Sequence, residues 1–129
     1  MSPTARVAIV GGAVIGALSV ATGAFGAHGL KAVLEASGQA GNWETASRYA
    51  MYHGLALVGT GLLSLVRPTA PGLAASTACF ILGTLIFSGC LGTLALTGVT
   101  VLGAIVPIGG TLMIAGWILL ASAAARTTV

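Results

Sequence analysis

The amino-acid sequence predicts an all-α membrane protein, a four-transmembrane-helix bundle with a short amphipathic interfacial helix between helices 1 and 2. Only five basic and two acidic residues occur among the 129 residues, whereas an average soluble domain carries about a quarter charged residues. Four apolar runs are each long enough to cross a hydrocarbon layer of about 30 Å at about 1.5 Å per residue. We therefore expect one transmembrane domain over residues 1–129, with lipid as its main solvent.

The four predicted spans follow the apolar runs in chain order. Their approximate bounds are residues 7–27, 44–66, 72–97 and 101–125. The second run is the shortest, and we expect its helix to begin near Asn42, because an asparagine side-chain oxygen can cap a first turn. Short segments containing proline, glycine and threonine join the last three spans, so we expect these spans to pack as antiparallel neighbours.

The connection between the first two spans is the longest one, and it carries an amphipathic pattern. Val33 and Leu34 alternate with Lys31 and Glu35 at helical spacing. Such a pattern is typical of a short helix that lies on the membrane surface with its apolar side towards the lipid. We expect this helix to end at Ser37, because a glycine follows there.

The basic residues predict the orientation of the chain. With an even number of spans, Arg6, Arg67 and Arg126 lie on one side of the membrane, and Lys31 and Arg48 lie on the other. The side with more positive residues is normally cytoplasmic. We therefore expect a multi-pass protein of the cell (inner) membrane whose N- and C-termini are both cytoplasmic.

Small residues recur at spacings that favour close helix packing in lipid. In the first span they are Gly12, Gly16 and Gly23, and in the third span they are Ser88 and Gly92. One interpretation is that these positions pack the four helices against one another. The other is that one of these rows forms a homo-oligomer or binds a partner membrane protein.

The polar side chains that could carry chemistry concentrate at one membrane face, where the first span ends and the second begins. The candidate functional cluster consists of His28, Lys31, Glu44, Arg48, Tyr49, Tyr52 and His53. Glu44 and Arg48 are four residues apart, so we expect an ion pair at this end of the helix. The same spacing allows Arg48 to reach Tyr52. It also allows Tyr49 to stack on His53.

The two histidines admit three interpretations. They can form an interhelical hydrogen bond, bind haem or a metal ion together, or act as a proton-handling pair. A metal site usually needs three or four ligands, so we assign no metal-binding residues and expect no cofactor, with haem as the one open possibility. No serine or cysteine lies in a recognisable nucleophile motif, and we therefore assign no catalytic residues.

The remaining composition excludes other classes of partner. The basic residues are scattered singly, without the cluster that a nucleic-acid site requires, so we expect no nucleic acid and regard the lipid bilayer as the principal partner. Cys79 and Cys90 lie in one apolar run, so they cannot bridge each other if that run is a helix.

Short motifs spread over nearly the whole chain form a family pattern. They are Gly23-Ala-Phe-Gly-Ala-His-Gly-Leu-Lys31, Trp43-Glu-Thr-Ala46, Tyr49-Ala-Met-Tyr-His53, Phe87-Ser-Gly89, Leu96-Thr-Gly98, Pro107-Ile-Gly-Gly110 and Gly116-Trp117. Together they resemble the domain-of-unknown-function 423 family, whose animal relatives are called transmembrane protein 256. The resemblance implies a small four-helix integral membrane protein, and it brings no catalytic role for any matching residue.

One segment departs from the family pattern. The resemblance leads us to expect Ser-Gly-Ser-Leu-Tyr after the phenylalanine of the third span, but this chain has Ser88-Gly-Cys-Leu-Gly92. A role that requires a tyrosine at this place is therefore not expected in this protein.

These observations favour a non-enzymatic integral membrane protein that acts as a homo-oligomer or as a small accessory subunit of a larger membrane complex. The first alternative is a small-solute or proton carrier that uses His53, because an ionisable residue inside a span is commonly functional. The second alternative is a haem-binding electron-transfer subunit that uses His28 and His53.

Overall fold

The computed structural model describes residues 1–126, and it is built from five helices joined by short connections. The helices are α1 (Pro3–Ala27), α2 (Lys31–Ala36), α3 (Ala40–Val66), α4 (Leu73–Thr97) and α5 (Leu102–Ala125). All except α2 are long and apolar enough to cross a membrane. The predicted fold class, with four spans and a short helix between the first two, is confirmed.

The first helix begins four residues earlier than its apolar run. Ser2 precedes it in an extended conformation, and the Ser2 hydroxyl accepts a hydrogen bond of 3.1 Å from the backbone N–H of Ala5. Pro3 occupies the first helical position, where its missing N–H would have no partner inside the helix anyway. A polar cap and a proline therefore extend α1 beyond the part that hydropathy marks.

The expected cap of the second span is wrong. Helix α3 begins at Ala40 after Gln39, and no side chain caps its first turn. Asn42 already lies within the helix, where its side-chain amide donates to the Gln39 side-chain oxygen at 2.8 Å. The backbone N–H of Trp43 donates to the Gln39 carbonyl at 3.1 Å. The helical hydrogen bonds therefore begin before Asn42, the residue that was expected to cap the helix.

The four spans form two antiparallel pairs. Helix α1 packs mainly against α3, and α5 packs mainly against α4. The two pairs meet where α3 packs against α4, whereas α1 and α4 touch only over a short stretch. A cleft between α1 and α4 therefore runs beside α3.

Each antiparallel pair depends on glycines that let two backbones approach closely. A methyl group added at Gly12 of α1 would lie 2.5 Å from the Gly54 carbonyl oxygen of α3. In the other pair, a methyl group at Gly83 would lie 2.9 Å from the Gly109 carbonyl oxygen. Neither space can hold a side chain, so the glycines set the distance between the helices.

The interior combines small apolar residues with hydroxyl groups. Phe80 of α4 and Leu57 of α3 are fully buried. Several buried hydroxyls donate to backbone carbonyls, as Ser76 of α4 does to the Gly116 carbonyl of α5 at 2.9 Å. Such bonds between helices are needed because the hydrocarbon layer offers polar groups no other partner.

The glycine contact between α1 and α3 gives a first prediction. Replacing Gly12 with alanine forces the two backbones apart, and we expect the free energy of unfolding to fall by about 1–3 kcal/mol. Unfolding in mixed micelles, followed by circular dichroism, measures this quantity.

The matched control is Gly59→Ala in α3, the other helix of this contact. A methyl group at Gly59 has no heavy atom within 4 Å. We expect this variant to be as stable as the parent protein, or slightly more stable because alanine favours helix. Equal losses for the two variants would contradict the close contact at Gly12.

Candidate functional site

The predicted polar cluster is divided between the membrane face and the interior. His28 follows α1 directly as its C-terminal cap and is exposed, as is Lys31 at the start of α2. Glu44 and Arg48 form an ion pair whose side chains are both well exposed. An exposed pair of this kind stabilises a helix by only about 0.3–0.5 kcal/mol. This part of the cluster is therefore a solvated surface rather than an enclosed site.

His53 lies deeper along α3 than the charged residues of the cluster, Glu44 and Arg48. It is the fourteenth residue of α3, which places it about 20 Å along the helix axis. Only 5% of its surface is exposed. Its Nδ1 is 2.8 Å from the Tyr49 carbonyl oxygen, and the Trp117 indole N–H donates to its Nε2 at 3.2 Å. Since a carbonyl only accepts and an indole N–H only donates, these contacts select the neutral imidazole with its proton on Nδ1.

Aromatic rings from three helices surround this imidazole. The Tyr49 ring stacks on it at 6.2 Å, and the rings of Phe80 and Trp117 lie at 5.7 and 6.1 Å. Phe87 completes the group through its contact with Tyr49 at 5.0 Å. His53 therefore connects α3 to α4 and α5 inside an aromatic cluster.

Three members of this aromatic cluster were missed by the sequence reasoning, namely Phe80, Phe87 and Trp117. Phe80 and Phe87 are seven residues apart, which is two turns on one face of α4. That spacing indicates a shared helix face, but it does not show that this face contacts a histidine.

Tyr52, a member of the predicted cluster, is half exposed and contacts the Tyr49 ring at 5.8 Å. Within residues 1–126, no hydrogen bond joins Tyr52 to Arg48.

The interpretation that the two histidines hydrogen-bond to each other is wrong. Gly54, next to His53, faces α1 near Gly16, and His28 lies twelve residues beyond Gly16. The two imidazoles are thus separated by roughly 18 Å along the helix axis. This separation is too great for a hydrogen bond, for direct proton transfer or for two axial ligands of one iron. In the described part of the chain, no group of three or more His, Cys, Asp or Glu side chains is placed to hold a metal ion.

A concave feature lies between α1, α3 and α4, in the cleft beside α3. It is a cavity of about 240 Å³ that is half open to the outside of the bundle. Ser88 and Gly92, two of the predicted packing residues, lie on its wall. Gly16 and Gly23, two others, have open space beside their Cα atoms. Ser88 and Gly92 of α4 therefore border this cavity at a place where they also contact α3.

Hydroxyl groups on the cavity wall bond to one another and to the backbone. Ser19 donates to the Ser47 carbonyl at 2.5 Å, and Ser47 donates to the Thr22 hydroxyl at 3.0 Å. The Trp43 indole N–H donates to the Thr22 carbonyl at 2.8 Å. Ser88 donates to a carbonyl of α3 at 2.7 Å. These bonds join the three helices around a wall that is otherwise apolar.

The hydrogen bond between Trp117 and His53 gives a second prediction. We expect the two residues to be coupled by roughly 0.6 kcal/mol, and by no more than about 1.7 kcal/mol, as bonds between membrane helices are. A double-mutant cycle of Trp117→Phe and His53→Phe, measured by unfolding in mixed micelles, determines this coupling.

A second cycle with Trp43→Phe and His53→Phe is the control. These two residues are about 15 Å apart along α3, so their effects should simply add. A coupling near zero in both cycles would show that the bond to Trp117 contributes nothing.

Comparison with known proteins gives a consistent result. The chain matches the family described as "Protein of unknown function (DUF423)" over residues 22–110. A UPF0382 membrane protein of Staphylococcus haemolyticus is 46% identical over 112 residues, covering 87% of this chain and 89% of the relative. One from Staphylococcus saprophyticus is 44% identical over 115 residues, covering 89% and 93%. No solved structure shows significant similarity. The chain therefore belongs to the DUF423 family, whose relatives named here are membrane proteins, as its motifs indicated.

Proposed function

We propose that this integral membrane protein is not an enzyme and acts through contacts with other membrane helices, with a homo-oligomer as the leading form. The observation that carries the proposal is the placement of α1 and α5 at the two ends of the helix arrangement. Each packs mainly against one neighbour, so most of its apolar surface faces outward. On α1, Val10, Val14 and Leu18 follow one another at turn spacing, and each is more than half exposed.

Small residues on another face of α1, turned away from Val10, Val14 and Leu18, support a second copy as the occupant of that face. Gly16, Val20 and Gly23 follow one another at spacings of four and three residues, which places them on one face of the helix. The space beside both glycines is open, so another helix could approach the backbone closely. Close backbone approach is what drives helix association in lipid. The same surface would suit a partner subunit, which is the accessory form of the proposal.

The carrier hypothesis receives less support from the geometry. Both ring nitrogens of His53 are engaged by Tyr49 and Trp117, and His53 does not line the cavity between α1, α3 and α4. These contacts favour a structural role for the imidazole. The haem hypothesis requires His28 and His53 to approach one iron, which their separation along α1 and α3 opposes.

Native mass spectrometry on protein extracted gently from its own membrane tests the proposal. We expect a single oligomer without added chains. Gly23→Leu should convert it to monomer, because a large side chain would fill the open space on α1. Gly59→Leu is the control, since Gly59 is an exposed glycine of α3 with equally open space. A foreign subunit would select the accessory form. A monomer without any partner would contradict both forms.

We also propose that the protein resides in the cell (inner) membrane with both termini in the cytoplasm. The connection between α3 and α4 carries Arg67, at the same membrane face as Arg6 of α1 and Arg126 after α5. Three basic residues on this face against two on the other support a cytoplasmic position.

Cysteine labelling tests this orientation. In a Cys79→Ala, Cys90→Ala background, we expect Ser37→Cys to react with an impermeant maleimide in intact cells. Thr69→Cys should react only after the membrane is permeabilised. Ser37 and Thr69 are both exposed, so access does not depend on packing. The reverse labelling pattern would invert the orientation.

A further inference from the structure

One threonine inside the bundle departs from the behaviour of the others. Five threonines of the spans donate to the carbonyl four residues earlier: Thr60, Thr77, Thr93, Thr97 and Thr111. The Thr84 hydroxyl is buried and has no hydrogen-bond partner in the part of the chain that the structure describes. A buried hydroxyl without a partner destabilises a fold, so its presence in the middle of α4 calls for an explanation.

Thr84 lies on the wall of the cavity between α1, α3 and α4. Along α4 the cavity extends from Thr84 to Gly92, which is about 12 Å at the helical rise. Its volume of about 240 Å³ then corresponds to a mean cross-section of roughly 20 Å². These dimensions suit one hydrocarbon chain or another narrow apolar molecule. The open side faces lipid, so such a molecule could enter directly from the bilayer.

The wall of the cavity selects against charged ligands. Its lining residues include no acidic or basic side chain. The hydroxyls of Ser19, Ser47 and Ser88 already donate to partners within the fold, so only their lone pairs remain available. A carboxylate or phosphate needs several donors or a cation, whereas this wall offers one free donor, the Thr84 hydroxyl, and no cation.

A ligand hydroxyl fits this wall better than other polar groups. It can donate to the free lone pairs of the serines, and it can also exchange a hydrogen bond with Thr84, which is both donor and acceptor. The Thr84 hydroxyl is shielded by its surroundings in the present rotamer. Rotation about χ1 by about 120° moves the hydroxyl to another staggered position, and a threonine in a helix has two accessible rotamers for this.

We propose that this cavity binds a neutral amphiphile with a single apolar chain and a hydroxyl group, and that Thr84 hydrogen-bonds to that hydroxyl. The site goes beyond the proposed function and does not depend on it. A monomeric protein could bind the ligand, and an oligomer could form without it.

Fluorescence quenching of Trp43, which lines the cavity, provides the test. The protein is prepared as Trp117→Phe, so that Trp43 is the single indole of the chain. The probe is a medium-chain alcohol with a terminal bromine, added to the protein in lipid nanodiscs. We expect saturable quenching that the unlabelled alcohol reverses and that the carboxylic acid of the same length does not. The corresponding bromoalkane should quench only weakly and without saturation.

Two variants with matched controls separate specific binding from partitioning into lipid. Thr84→Val removes the hydroxyl at nearly constant shape and should weaken binding about 3- to 10-fold, whereas Thr84→Ser should retain it. Thr60→Val, at a buried threonine outside the cavity, should bind as the parent does. Gly89→Leu should abolish binding, because Gly89 lines the cavity and has open space beside it. Gly59→Leu, at an exposed glycine elsewhere, should not.

Two results would overturn the proposal. The first is equal quenching by the alcohol and the bromoalkane, which would mean that the cavity takes any lipid chain or is covered by a second copy. The second is unchanged affinity in Thr84→Val, which would mean that the hydroxyl plays no part. Neither result bears on the oligomeric state measured by native mass spectrometry, so the two proposals can fail separately.

Discussion

The hydrocarbon of the bilayer offers polar groups no hydrogen-bond partner. It is also as apolar as the side chains, so an apolar side chain gains no hydrophobic free energy by moving from lipid to a neighbouring helix. The fold of this protein depends on how it meets that constraint. Gly12 with Gly54 and Gly83 with Gly109 let helix backbones approach closely within each pair. Buried side-chain donors reach carbonyls on neighbouring helices, as Ser76 does. Close contact and internal hydrogen bonding thus take the place that hydrophobic burial holds in a soluble bundle.

Helix α3 takes part both in close backbone contact and in hydrogen bonding between helices. On the side towards α4 and α5, His53 bonds to Trp117 and lies among aromatic rings. On the side towards α1, its residues Trp43 and Ser47 bond into α1. Polar and aromatic side chains of α3 therefore bond both to α1 and to α5. This explains why the second span is the least apolar of the four.

The unpartnered hydroxyl of Thr84 stands out against this background. The buried threonines Thr60 and Thr77 bond within their own helix, and Ser76 and Ser88 bond across to a neighbouring helix. The exception coincides with the cavity that opens where α1 and α4 separate. A fold that otherwise satisfies its buried hydroxyls leaves one available at the place where a membrane-soluble molecule has room to bind.

The sequence by itself determined the membrane class, the four spans, the short interfacial helix and the family, because hydropathy and motifs are local properties of the chain. It also placed Glu44 beside Arg48 and Tyr49 beside His53, since residues four apart share a helix face. It could not show that His53 meets Trp117 instead of His28, because the depth and rotation of neighbouring helices follow from glycine contacts between distant segments. Only the tertiary structure decided which small residues close a helix contact and which border a cavity. That outcome depends on where two helices diverge, a property that no single segment carries.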